Sequence, residues 1–124
     1  MLNFAYCSDK YQYTMGKSFY DSGMKDQHAV FNMFYRKAPE NNNWAVVSGV
    51  DEVIEMIENL GNMDPSFFEK FLPGEEYADF RGYLSAMKFT GTVYAMREGE
   101  IVFPNQPIII VEGPLIEAQV LETP

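Results

Sequence analysis

Apolar residues in this chain recur with two periods, one of strands and one of helices. The stretch Ala29–Pro39, AVFNMFYRKAP, is an almost continuous apolar and aromatic run that ends in two cations. Val30, Phe31, Met33, Phe34 and Tyr35 suit a strand. Arg36 and Lys37 follow at once, and Pro39 stops the run. The pattern predicts a buried, central strand that carries a guanidinium to its own end. Trp44–Val47 and Ile101–Phe103 are short apolar runs that read as further strands. Phe89–Met96 reads as a strand in which Gly91 marks a close backbone approach. Ile108–Val111 is continuously apolar, so it is expected to be buried on both faces or paired deep in a sheet.

Helical spacing appears between these runs. Ser8 or Asp9 can cap a helix that passes Met15 and Tyr20 and stops at Gly23. Tyr11, Met15 and Phe19 then share one face, which spacing alone assigns to the core. Tyr11 also sits in the first turn, where a side chain can project beyond the helix. Lys17 and Asp21 form a surface pair. His28 reads as a strand-entry residue, and Glu40–Asn43 as a turn. Ser48-Gly-Val-Asp51 resembles a capping box before a helix that places Val50, Val53, Ile54, Ile57 and Leu60 on one face and ends at Gly61. The acids on its other face read as a solvated surface. Asp64-Pro65 starts a short helix through Phe71. Pro73-Gly74 breaks it, and a helix over Glu75–Met87 carries Tyr77, Phe80, Leu84 and Met87 as one stripe. Arg97–Glu100 and Pro104–Pro107 are turns. Gly113-Pro114 opens a last helix with Leu115, Ala118 and Leu121. Its shortness before Thr123-Pro124 reads as an interrupted element or as a terminal helix docked on the sheet. These elements place the chain in the α+β class.

The chain has 124 residues, 47% hydrophobic and 15% aromatic, which suits one domain with a real core and argues against disorder. Its net charge of −9, from 18 acids and 9 bases, speaks against general binding to nucleic acid or to an anionic membrane surface. The lone Cys7 and lone His28 give no zinc spacing and no internal disulfide. No leader peptide and no membrane-spanning run is legible. A cytoplasmic protein is the resulting expectation.

Candidate chemistry is sparse. There is no nucleophile–base pair, no Gly-rich phosphate loop and no paired general acid and base. Tyr11 at a helix start, with Arg36 and Lys37 at a strand end, remain. An aromatic plate with a guanidinium fork suits a planar, anionic ligand. Exposed Arg and Lys at a strand end are also an ordinary way to keep it soluble.

Five segments resemble a known family. Asp9-Lys-Tyr-Gln-Tyr-Thr-Met15 is similar to the Asp-x-Tyr-Gln-x-Thr-Met opening of nicotinate phosphoribosyltransferases. Phe34-Tyr-Arg-Lys-Ala-Pro39 resembles their aromatic-aromatic-Arg-Lys-x-Pro segment, and Ser48–Val53 a family helix start. Glu98–Pro107 and Val111–Thr123 resemble two further segments, all in the family's order. The resemblance implies the N-terminal α/β domain of a type II phosphoribosyltransferase, with mixed strands and several amphipathic helices, without the irregular α/β barrel that follows. It implies NAD salvage: nicotinate joined to phosphoribosyl pyrophosphate, coupled to ATP hydrolysis, in a homodimer with sites at the subunit interface. Tyr11 would stack on the pyridine ring in the partner's site. Arg36 would contact donor phosphates, with Lys37 as a supporting charge, while Asp9 caps. The phosphoryl-accepting histidine of the family lies downstream, so His28 does not inherit that role. ATP and Mg²⁺ are expected for the full enzyme and not on this segment, which has no catalytic residue of its own. The implied reading is a fragment of the enzyme, inactive alone. The competing reading is a stand-alone docking module for a barrel-containing partner, and the nicotinamide-using relative is a third.

Overall fold

The computed structural model describes residues 7–37 and 42–124. In chain order these form α1 (Lys10–Asp21), β1 (His28–Met33), β2 (Ala45–Val46), α2 (Val50–Glu58), α3 (Pro65–Phe71), α4 (Ala78–Ala86), β3 (Thr92–Ala95), β4 (Ile101–Val102), β5 (Ile109–Pro114) and α5 (Leu115–Val120). Short 3-10 turns lie at Leu60–Asn62 and Glu75–Tyr77. The class is α+β, as the pattern predicts.

β5 is the centre of a three-stranded sheet ordered β1-β5-β3, and both pairings are antiparallel. Its apolar run is therefore paired deep in a sheet. Residues alternate across a strand, so Ile109, Val111 and Gly113 are buried while Ile110, Glu112 and Pro114 are half-buried. Phe31 and Val93 both lie opposite Val111. That face packs against Ala118 and Leu121 at the C-terminal helix and against Val53 of α2. Gly91 is where two backbones meet: a Cβ there would lie 2.2 Å from the Glu112 carbonyl oxygen and 3.0 Å from Gly113 Cα. β2 and β4 form a separate antiparallel ribbon.

The helices close a second core. Tyr13, Leu60, Phe68, Leu72, Phe80, Leu84 and Ile116 are fully buried there. The Tyr13 ring meets Phe68 and Phe71 edge-on, each at 5.6 Å between centroids. Each large apolar side chain taken out of water contributes roughly 1.5–3 kcal/mol. The α3 cap is as expected, with the Asp64 carboxylate accepting Ser66 N–H at 2.9 Å and Pro65 at the first helical position. That hydrogen bonding also holds the Asp64 carboxyl below the usual carboxylate range. Lys17 and Asp21 pair, and His28 opens β1.

Several expectations are corrected. The first strand is neither central nor buried: β1 is an edge strand, Val30 and Met33 are about half exposed, and pairing stops at Met33, so Phe34 and Tyr35 lie beyond it. Its expected stop at Pro39 and part of the following turn lie outside the described residues. The buried face of α1 carries Gln12, Tyr13 and Gly16, while Tyr11 and Met15 face outward. The reason is a tertiary contact at Gly16, where a Cβ would stand 3.2 Å from the Phe80 ring and 3.6 Å from Ile116. Asp9 occupies the N-cap position of α1 without a side-chain cap bond. For α2 the N-cap is Gly49 at φ +92°, not Ser48, and the helix gives way to a 3-10 turn after Glu58 rather than running to Gly61. The predicted helix over 75–87 is a 3-10 turn followed by α4.

Candidate functional site

β1 leaves the sheet at Met33, yet the chain stays extended and anchored. The Met33 carbonyl accepts Ile108 N–H and the Tyr35 carbonyl accepts Asn105 N–H, each at 2.8 Å. The Tyr35 hydroxyl donates to the Val102 carbonyl at 2.9 Å. Its ring packs on the small cluster of Val47, Val50 and Val102. Tyr35 is thus held at both ends, and Phe34 and Arg36, on either side of it in sequence, both line a cavity. Arg36 is exposed, and among the described residues no carboxylate forms an ion pair with it. Among these residues its fork of donors is committed to no carboxylate, and such a fork suits an anion.

The cavity has a volume of about 320 Å³, within the range of small-molecule sites. Phe31, Met33 and Phe34 form one wall, and Val53, Met56 and Ile57 of α2 form another. Arg36 and Glu122 are the charged side chains among its described lining. A long-range contact fixes the α2 wall: Glu98 Oε1 accepts Val50 N–H at 2.6 Å, satisfying a donor that Gly49 cannot reach with a side chain. An apolar cavity with one guanidinium and one carboxylate can pack a flat ligand part on its walls and pair an anionic group with Arg36.

Tyr11 is 49% exposed, so a ring face is available for stacking. Its hydroxyl donates to Glu122 Oε2 at 3.0 Å and accepts from Gln12 Nε2 at 2.8 Å. Glu122 is shared: it bonds Tyr11 and lines the cavity that Arg36 also lines. Glu122 thus links Tyr11, which is not among the cavity's lining residues, to the cavity that Arg36 lines. Lys37 is exposed and is not part of the cavity lining. Tyr13, two residues from Tyr11, is structural, and burial pushes its phenol up to about 12. No group of three His, Cys, Asp or Glu side chains among the described residues is arranged to hold a metal ion.

Gln12, Glu98 and Glu122 fall within segments matched in the sequence, but the sequence assigns them no structural role. Gln12 carried a signal, a polar residue between two tyrosines in a helix start, but its meaning depends on a partner far along the chain. The α2 wall was legible as an apolar stripe and not as a cavity wall.

Residues 7–124 match the family model described as the nicotinate phosphoribosyltransferase N-terminal domain. The chain is 41% identical over 118 residues to nicotinate phosphoribosyltransferase of Bacillus subtilis, covering 94% of this chain and 24% of that protein. It is 36% identical over 120 residues to nicotinate phosphoribosyltransferase 2 of Arabidopsis thaliana, covering 94% of this chain and 21% of the relative. The crystal structure of human nicotinic acid phosphoribosyltransferase superposes with a TM-score of 0.81 at 31% identity, over 95% of this chain and 24% of that one. The chain thus spans about a quarter of the length of the relatives it matches.

Proposed function

Because this chain belongs to the nicotinate phosphoribosyltransferase family and matches its N-terminal domain, we propose that it serves as that domain in an enzyme of NAD salvage. The enzyme joins the ring nitrogen of nicotinate to the anomeric carbon of phosphoribosyl pyrophosphate. The bond from that carbon to the pyrophosphate oxygen breaks, and pyrophosphate leaves. The observation that carries this reading is the placement of Arg36, anchored through Tyr35, exposed and without an ion pair among the described residues, at a cavity of about 320 Å³. Arg36 neutralises phosphate charge as it builds on the leaving group, with Lys37 as a supporting cation. Tyr11 lays its ring on the pyridine and sets the angle of attack.

Both side chains act in a site completed by the partner subunit of a homodimer. The segment alone is inactive, because the phosphoryl-accepting histidine and the barrel belong to the remainder of the enzyme. ATP and Mg²⁺ bind there too, and no step on this chain is assigned to a metal. The location is the cytoplasm; among the described residues no helix is long and apolar enough to cross a membrane. Half-exposed Trp44, Val46, Ile101 and Phe103 on the ribbon fit a surface that another part of the enzyme covers.

Steady-state kinetics of a full-length enzyme carrying this domain test the reading. Arg36→Ala is expected to weaken use of the phosphoribosyl donor by about tenfold to a hundredfold, the range for a lost hydrogen bond to a charged group. Tyr11→Ala is expected to raise KM for nicotinate by roughly threefold to tenfold. Wild-type kinetics in either variant remove that residue from the site.

A further inference from the structure

We propose that Gln12 is a positioning residue, which acts with Gln119 and Glu122 to fix the Tyr11 ring in the orientation that stacks on the pyridine substrate, resting on the stacking role given to Tyr11 above. Gln12 is fully buried. A primary amide is costly to bury, and the cost is offset when its donors and acceptor find partners. Here each side of the amide is engaged. Its Oε1 accepts from Gln119 Nε2 on α5. Its Nε2 donates to the Tyr11 hydroxyl at 2.8 Å and to Thr123 Oγ1 at 3.0 Å, and also meets Glu122 Oε2.

The Glu122 carboxylate, which only accepts, fixes which way the amide points, since a flipped amide would set its carbonyl oxygen against that carboxylate. With that orientation set, the Tyr11 hydroxyl accepts from Gln12 and donates to Glu122. A half-exposed tyrosine would otherwise sample several rotamers, and ordering it would weaken substrate binding. Holding the hydroxyl at two points removes most of that loss before the substrate arrives. The same bonds lead through Glu122 to the wall of the Arg36 cavity, so the ring and the guanidinium are placed against one frame. The competing role for Gln12 is a bond between α1 and α5 with no effect on the ring.

The test uses the full-length enzyme carrying this domain. Tyr11→Phe keeps the ring and loses the hydroxyl. Gln12→Met keeps the shape and loses the bonds. Each is expected to raise KM for nicotinate about threefold to tenfold without a matching rise in KM for the phosphoribosyl donor. Glu122→Gln, which keeps an acceptor for the hydroxyl, is expected to rescue most of what Glu122→Ala loses. In a Tyr11→Ala background, Gln12→Met should add no further rise. If Tyr11→Ala raises the nicotinate KM while Tyr11→Phe and Gln12→Met do not, positioning by Gln12 is wrong and the stacking role stands. If Gln12→Met raises KM for both substrates, or still raises it in the Tyr11→Ala background, Gln12 is a structural link and the proposal fails. A wild-type KM in Tyr11→Ala overturns the stacking role itself.

Discussion

The helical end and the sheet end of this molecule use the same aromatic-rich composition in opposite ways. Around α1, α3 and α4 the large residues close on one another, and Tyr13, Phe68, Phe80 and Leu84 are fully buried. On the ribbon and the sheet, Trp44, Val46, Tyr94, Ile101 and Phe103 are each more than half exposed. Period explains part of the difference. Three helices can turn their apolar stripes to one centre, whereas a strand sends alternate residues to opposite faces. In the ribbon Ala45 pairs with Val102 on the packed side, and Val46 pairs with Ile101 on the open side. The helical end therefore carries the core, and the sheet end carries open surface and the Arg36 cavity.

That contrast is open to attack by mutation. The largest expected effect is Phe80→Ala, which should cost roughly 3–5 kcal/mol in urea denaturation of the full-length protein. Ile101→Ser, which alters a side chain that this domain leaves more than half exposed, should cost clearly less, and equal losses at the two positions would erase the contrast. Next is Gly91→Ala, where the new Cβ would strike the Glu112 carbonyl; it should destabilise by about 1–3 kcal/mol, measured by the same titration. Glu98→Ala should cost about 1 kcal/mol by removing the acceptor at the start of α2. A loss no larger than that of a nearby surface alanine would show that the bond at 2.6 Å contributes little.

The pH dependence gives the most specific effect. Burial pushes the phenols of Tyr13 and Tyr83 up to about 12. Because the folded state favours the protonated phenols, their contribution is complete below the ordinary tyrosine value of about 10. It is lost as pH rises through the folded value. Stability should fall between pH 10 and about 12, and Tyr13→Phe should make the fall shallower without abolishing it, since Tyr83 remains. Chemical denaturation at a series of alkaline pH values reads this, and an unchanged slope would remove Tyr13 from the account.

What was legible in the sequence is what short-range chemistry decides. Asp64-Pro65 caps a helix by itself, Gly91 announces a close approach, and the apolar run Ile108–Val111 marks the strand at the sheet's centre. The face of α1 was misread because Gly16, a residue with no side chain to count, lets Phe80 and Ile116 come close and turns Tyr13 inward. The apolar run of the first strand reads as a buried, central strand, yet its outer edge is unpaired among the described residues. The α2 cap comes from Glu98, 48 residues away from Val50, and the Tyr11 partner Glu122 lies 111 residues along. No local pattern encodes such distances. Arg36 and Tyr11 could be named from motif and residue type; the cavity that Arg36 lines, and the amide bonded to the Tyr11 hydroxyl, required the fold.

Subunit mixing tests most directly whether this domain lends Tyr11 and Arg36 to a site completed by another subunit. One full-length variant carries Arg36→Ala with an intact remainder. The other keeps this domain intact and is inactive in the remainder. The account predicts that each is impaired alone and that mixed dimers regain activity, because one site then combines an intact domain from one subunit with an intact remainder from the other. Mixed dimers that form and stay as inactive as their parents would place Arg36 in its own subunit's site and contradict the account.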